Sequence, residues 1–126
     1  MNLLLDTHVF MWAVDDSQSL SPAARTAILD GRNVVYVSAA SAWEIAIKRS
    51  IGKLRIPKGD YLEELKAHRF TPLNVTTEHA LAVEALPSHH KDPFDRMLIA
   101  QAQIERLTLV TRDPRLSLYG VKIIET

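Results

Sequence analysis

The sequence predicts an α/β fold in which helices cover both faces of a mostly parallel sheet of four to five strands, in three layers. Short aliphatic or β-branched runs recur at residues 2–5, 34–37, 71–75, 107–111 and 121–124. Helical patterns separate most of them. Strands joined through helices need crossover connections, which leave neighbouring strands parallel and both sheet faces covered.

Each element has a local reason. Residues 2–5, Asn-Leu-Leu-Leu, form a short apolar run suited to a buried strand. A first helical piece follows over 7–14. Ser21-Pro22 opens a second helix, with serine at the cap and proline in the first turn, and Gly31 stops it. Val34-Val35-Tyr36-Val37 is the strongest strand signal, being β-branched and aromatic throughout. Residues 38–50 read as helix ending before Gly52, and 59–68 as another. A short strand over 71–75 precedes an Ala/Leu-rich helix over 77–86. Asp92-Pro93 starts a helix that runs to about Arg106, and strands over 107–111 and 121–124 complete the chain.

Composition bounds the function. A length of 126 residues suits one domain spanning 1–126, and no repeat or low-complexity tract divides it. The chain has no cysteine, which excludes disulfides, zinc–thiolate sites and thiol nucleophiles. The N-terminal apolar run lacks a preceding Lys or Arg and is interrupted by Asp6, so it does not read as a secretion signal. No apolar stretch approaches the ~18–20 residues that span a bilayer. A cytoplasmic protein without membrane contact is expected. Formal net charge is zero, so any nucleic acid would be held by a local patch.

In parallel α/β sheets, ligands sit at the carboxyl ends of the strands. Asp6 closes the strand over 2–5, and Asp113 follows the strand over 107–111. Each has an alternative reading as a helix cap, and Asp113-Pro114 is a ready N-cap. Glu44 lies in Ala39-Ala40-Ser41-Ala42-Trp43-Glu44-Ile45-Ala46-Ile47, where Ala40, Trp43 and Ile47 share its helical face. A buried carboxylate there must be paired, protonated or bound to a cation. The alternative is an i,i+4 pair with Lys48, which suits a solvated face. Asp92 reads as an N-cap, whereas Asp95, third in the same helix, can serve the helix dipole and the sheet edge together. Converging carboxylates repel, and oxygen-only ligands favour Mg²⁺ or Mn²⁺ over zinc. His89-His90 lack the i,i+4 spacing of a helical zinc pair and read as loop residues outside the metal set. Neither a Gly-rich phosphate loop nor a G-x-S-x-G elbow is present.

Four segments, LLLDTH, SAASAWEIAIK, HKDPFDRMLIAQA and LVTRD, occur in this order. Together they resemble the signature blocks of PIN-domain ribonucleases, and within that group the VapC toxins of type II toxin–antitoxin modules. The resemblance spans essentially the whole chain. It implies a PIN-like domain whose catalytic and metal-binding carboxylates are Asp6, Glu44, Asp95 and Asp113, with Thr7, Ser41 and Thr111 as supporting polar residues. Many members carry Asn where this chain has His8, which puts a role for that position in doubt. The resemblance also implies one or two Mg²⁺ or Mn²⁺ ions, hydrolysis of RNA to 5′-phosphate and 3′-hydroxyl ends, a homodimer, and a VapB-like antitoxin partner.

RNA contacts are expected from Lys48, Arg49, Lys53, Arg55 and Lys58, a run of cations with no acid between them. The alternative is a solvated helix C-terminus followed by a polar loop. Arg96 and Arg112 adjoin the acids and could touch substrate or neutralise the cluster. Two other readings remain. A receiver domain would need an aspartate after a central strand, where Ser38 stands, and a late lysine beyond a strand rather than Lys122 within one. A catalytically silent PIN-like binding module would not need all four acids.

Overall fold

The computed structural model describes residues 1–54 and 60–126. Its five strands are β1 (Asn2–Leu5), β2 (Val34–Ser38), β3 (Thr71–Leu73), β4 (Thr108–Thr111) and β5 (Ile123–Glu125), ordered β3-β2-β1-β4-β5 in one sheet. Every pairing is parallel. The helices are α1 (Thr7–Val14), α2 (Pro22–Leu29), α3 (Ala39–Ser50), α4 (Tyr61–Ala67), α5 (Thr77–Ala82) and α6 (Pro93–Glu105).

The leucines of β1 explain why this strand is central. Leu3, Leu4 and Leu5 are all fully buried, because β1 has partners on both edges and layers on both faces. Side chains alternate across a strand. Leu3 and Leu5 enter one core with Val35, Val37, Val110, Phe10 of α1 and Ile45 of α3. Leu4 enters the other with Leu109, Leu98 and Ile99 of α6, and Leu116. The chain progresses from β1 through β2 to β3 on one side, then crosses to β4 and β5 on the other. The order therefore reverses between β1 and β4, and the open crevice of such a sheet lies at the carboxyl ends there.

Most differences from the expected elements are at their ends. The helix expected over 77–86 stops at Ala82 and tightens into a 3₁₀ turn, Val83–Ala85. A further 3₁₀ segment, Pro114–Tyr119, follows the Asp113 cap. The start of the helix expected at Gly59 lies outside the described residues, and α4 is capped by Asp60. The larger correction concerns α3. Its buried residues are Ala40, Ser41, Glu44 and Ile45, whereas Trp43 is 64% exposed and Ile47 38% exposed. The face around Glu44 is thus set by its small neighbours, which let α3 approach α1. Trp43 instead meets Phe94 of α6 edge-on, with ring centroids 5.3 Å apart. Among the described residues, no helix is long and apolar enough to cross a membrane.

Candidate active site

Asp6 leaves the end of β1 with its N–H bonded to the Val110 carbonyl of β4 at 3.0 Å, which sets it at the β1/β4 crevice. Its carboxylate accepts from the Val9 N–H at 2.8 Å, capping α1, and the residue is 6% exposed. Capping and a place at the sheet edge coexist. Burial raises the Asp6 carboxyl above its ordinary range, partly offset by hydrogen bonds from the Thr111 hydroxyl and Val9 N–H and by the charges of His8 and Arg112.

The turn from β2 into α3 delivers the second group. Buried Ser38 caps α3 by accepting from the Ala40 N–H at 3.0 Å, so the next two turns face α1. Thr7 Oγ1 donates to Glu44 Oε1 at 2.7 Å and lies 3.0 Å from Ser41 Oγ. Lys48 Nζ meets the other Glu44 oxygen at 2.8 Å. Glu44 is therefore buried and also joined in the i,i+4 pair that was expected only of a solvated face. Lys48 resolves the conflict by keeping 40% of its side chain in solvent while its ammonium reaches inward.

Asp92 caps α6, accepting from the N–H groups of Phe94 and Asp95 at 2.8 and 3.2 Å. Asp95 then projects from the first turn. Its carboxyl is pushed up to about 7, chiefly by burial and then by Asp92, with Asp6 and Glu44 adding to the rise and His90 opposing it. Asp6 and Glu44, from two other parts of the chain, thus act on Asp95. Asp113 behaves oppositely. Arg115 lies with Nη2 2.8 Å from Asp113 Oδ2 and, with help from His90, holds this carboxyl down at about 2. Asp113 also caps the 3₁₀ segment through the Arg115 N–H, at 3.0 Å.

His90, read from the sequence as a loop residue outside the metal set, sits beside two of the acids. Its Nε2 lies 3.0 Å from Asp95 Oδ2 and 3.1 Å from Asp113 Oδ2. A local signal for it existed. His90 stands two residues before the Asp92 cap, and the Asp92 N–H bonds to its Nδ1 at 3.1 Å, tying the ring to the start of α6.

The expected RNA contacts divide. The Arg96 guanidinium donates to the carbonyls of Pro87, His90, Val83 and Leu86 at 2.9–3.2 Å. Lys48 is paired with Glu44, as above. Arg112 is exposed, with its guanidinium 5.6 Å from the Trp12 ring centroid, and its charge reaches Asp6. Arg49 and Lys53 are exposed at and beyond the end of α3. Arg55 and Lys58 lie outside the described residues.

The donor set fits a hard divalent cation. It is carboxylate-rich, and Asp92, Asp6 and Glu44 all add to the rise of Asp95, whose largest cause is burial. Ligand-type atoms of His90, Asp95 and Asp113 all lie within 4.8 Å of one another.

A crossover α/β sheet with buried acids at its switch point defines an acid-cluster α/β domain, and residues 3–122 match the PIN domain family model. The chain belongs to the PIN domain family. It is 37% identical to Ribonuclease VapC22 of Mycobacterium tuberculosis over 117 residues, covering 90% of this chain and 88% of that protein. Its fold is similar to that in the crystal structure of VapBC2 from Rickettsia felis bound to a promoter DNA fragment. There the TM-score is 0.73 at 16% identity, covering 99% of this chain and 98% of the other. DNA-bound VapBC from Salmonella typhimurium gives a TM-score of 0.69 at 17% identity, with the same coverage of 99% and 98%.

Proposed function

We propose that this protein is a Mg²⁺- or Mn²⁺-dependent endoribonuclease acting in the cytoplasm as the toxin of a VapBC-type module, held in check by a VapB-like antitoxin. The observation that carries the reading is the acidic set itself, with Asp6 and Glu44 buried and both acting on half-buried Asp95. The VapC22 relative and the two VapBC complexes support the choice of RNA as substrate and of an antitoxin as partner. The whole chain acts as one domain and works as a homodimer.

In this reading Asp6, Glu44, Asp95 and Asp113 would hold the ion. The chemistry that a bound divalent ion supplies here is polarisation of the phosphodiester and activation of water. Thr7 keeps Glu44 turned toward the crevice through its 2.7 Å hydrogen bond, with Ser41 behind it, and Thr111 favours the charged form of Asp6. Water oxygen bonds to phosphorus and gives up a proton to solvent, the P–O3′ bond breaks, and the departing 3′-oxygen takes up a proton from solvent, so that one water is consumed. The products carry 5′-phosphate and 3′-hydroxyl ends. Arg112, Arg49 and Lys53 supply cations for the flanking phosphates.

The test uses purified protein and structured RNA with Mg²⁺ or Mn²⁺. Cleavage is expected, with loss on adding EDTA and in Asp6→Asn, a change that preserves an N-capping residue. Cleavage by Asp6→Asn at the parent rate would sink the metal mechanism. A silent binding module would show no metal-dependent cleavage in either form. Expression should arrest growth, and co-expression of the adjacent-gene antitoxin should restore it.

A further inference from the structure

We propose that His90 is a positioning residue that holds Asp95 and Asp113 together by donating its Nε2–H, and that it does not ligate the metal. This rests on the reading of the acid cluster as a divalent-ion site.

Residues 83–92 lie between α5 and α6 and carry His90 near their far end. Arg96 of α6 reaches back to four carbonyls along this stretch, including that of His90 at 3.2 Å. Buried Tyr119 adds a second clasp, its hydroxyl donating to the Pro87 carbonyl at 2.9 Å and accepting the His90 N–H at 2.8 Å. Two side chains that stand far apart in sequence thus fix the loop, and the His90 backbone is held at both its N–H and its carbonyl.

The ring is fixed as firmly. The Asp92 N–H points at Nδ1 from 3.1 Å. A backbone N–H can only donate, so Nδ1 is the acceptor and the ring proton sits on Nε2. That proton faces Asp95 Oδ2 at 3.0 Å and Asp113 Oδ2 at 3.1 Å. A metal ligand needs a lone pair on the coordinating nitrogen, and Nε2 in this tautomer has none to offer. Arg115 Nη2 stands 3.4 Å from Nε2, but its closer partner is Asp113 Oδ2 at 2.8 Å. His90 therefore acts as a bridge between one acid of α6 and one acid beyond β4. Groups that orient ligands in this way are worth ~10–100-fold in metal affinity.

Two measurements on the full chain test this. Long-range ¹H–¹⁵N NMR at about pH 8 reads the His90 tautomer without and with saturating Mg²⁺. Nε2-protonated imidazole is expected in both. Loss of the Nε2 proton on adding Mg²⁺, or an Nδ1-protonated ring at the start, overturns the proposal. Mn²⁺ affinity is then compared for His90→Gln, His90→Asn and His90→Ala, with urea unfolding to verify folding. Glutamine places an N–H donor near the Nε2 position and should keep affinity within ~3-fold, whereas asparagine, too short, and alanine should lose ~10–100-fold. Equal loss in all three folded variants counts against positioning by hydrogen bonding. A parent that binds no Mn²⁺ overturns the metal-site reading, while the tautomer still decides the role of His90.

Discussion

Lys48 Nζ sits 2.8 Å from Glu44 Oε2 while Thr7 Oγ1 holds the other oxygen of the same carboxylate at 2.7 Å. Glu44 is thereby satisfied on both sides, one inside the protein and one at its surface. Removing Lys48 leaves a buried carboxylate with half its partners. Breaking a fully buried pair costs ~3–5 kcal/mol, and the solvent exposure of Lys48 reduces this to roughly 1–2 kcal/mol for Lys48→Met. Urea unfolding of the metal-free protein checks the value. Saturating Mn²⁺ should return much of the loss, because a cation replaces the missing ammonium.

Metal-free stability should fall as pH rises through the range in which Asp95 ionises. Its carboxyl titrates at 3.8 in the unfolded chain and about 7 in the fold, so between these values the folded state binds more protons. More protons bound in the folded state means that stability declines with rising pH, and the loss is complete above about 7. Asp113 works in the opposite sense, its contribution being present above 3.8 and lost as pH falls through about 2. Urea midpoints in EDTA between about pH 5 and about pH 8 should drop for the parent and drop less for Asp95→Asn. An unchanged slope in the variant would assign the pH dependence elsewhere.

Arg96 and Arg112 neighbour the same site and should respond differently to substitution. Arg112 has its charge in solvent over Trp12. In an Asp6→Asn background, Arg112→Ala should weaken RNA binding and lower the salt slope by ~0.7 for each phosphate that is no longer neutralised, with little change in stability. Fluorescence titration at several salt concentrations reads both quantities.

Arg96→Lys should instead cost stability. A lysine ammonium cannot span four carbonyls, and hydrogen bonds to a charged group contribute ~1.5–3 kcal/mol. We expect a loss of about that size in urea unfolding, with faster hydrogen exchange at the His90 amide, which now bonds to the Tyr119 hydroxyl. Intact stability in Arg96→Lys would show that the loop is held by Tyr119 alone.

The fold was legible where the pattern was local. The bounds of β1, α1 and α2 follow directly from the leucine run, Asp6 and the Ser21-Pro22 start. Helix caps at Ser21, Asp92 and Asp113 were equally readable, since each depends on a residue and its next two or three neighbours. The four acids could be named because they stand in short blocks of residues. Their unequal states could not. Asp95 is pushed up and Asp113 held down, and the difference lies in what surrounds each of them in space.

The sequence by itself determined a crossover α/β chain with acids delivered to one sheet edge, because strand periodicity, capping and β-to-α turns are short-range properties. Only the tertiary structure decided that His90 lies between Asp95 and Asp113, that Arg96 bonds to carbonyls of the stretch before α6, and that Trp43 turns outward on α3 beside the buried Glu44. Each of these depends on partners brought together from separate elements. Charge and hydropathy along the chain carry no record of such partners, whereas the distances and burial in the folded protein do.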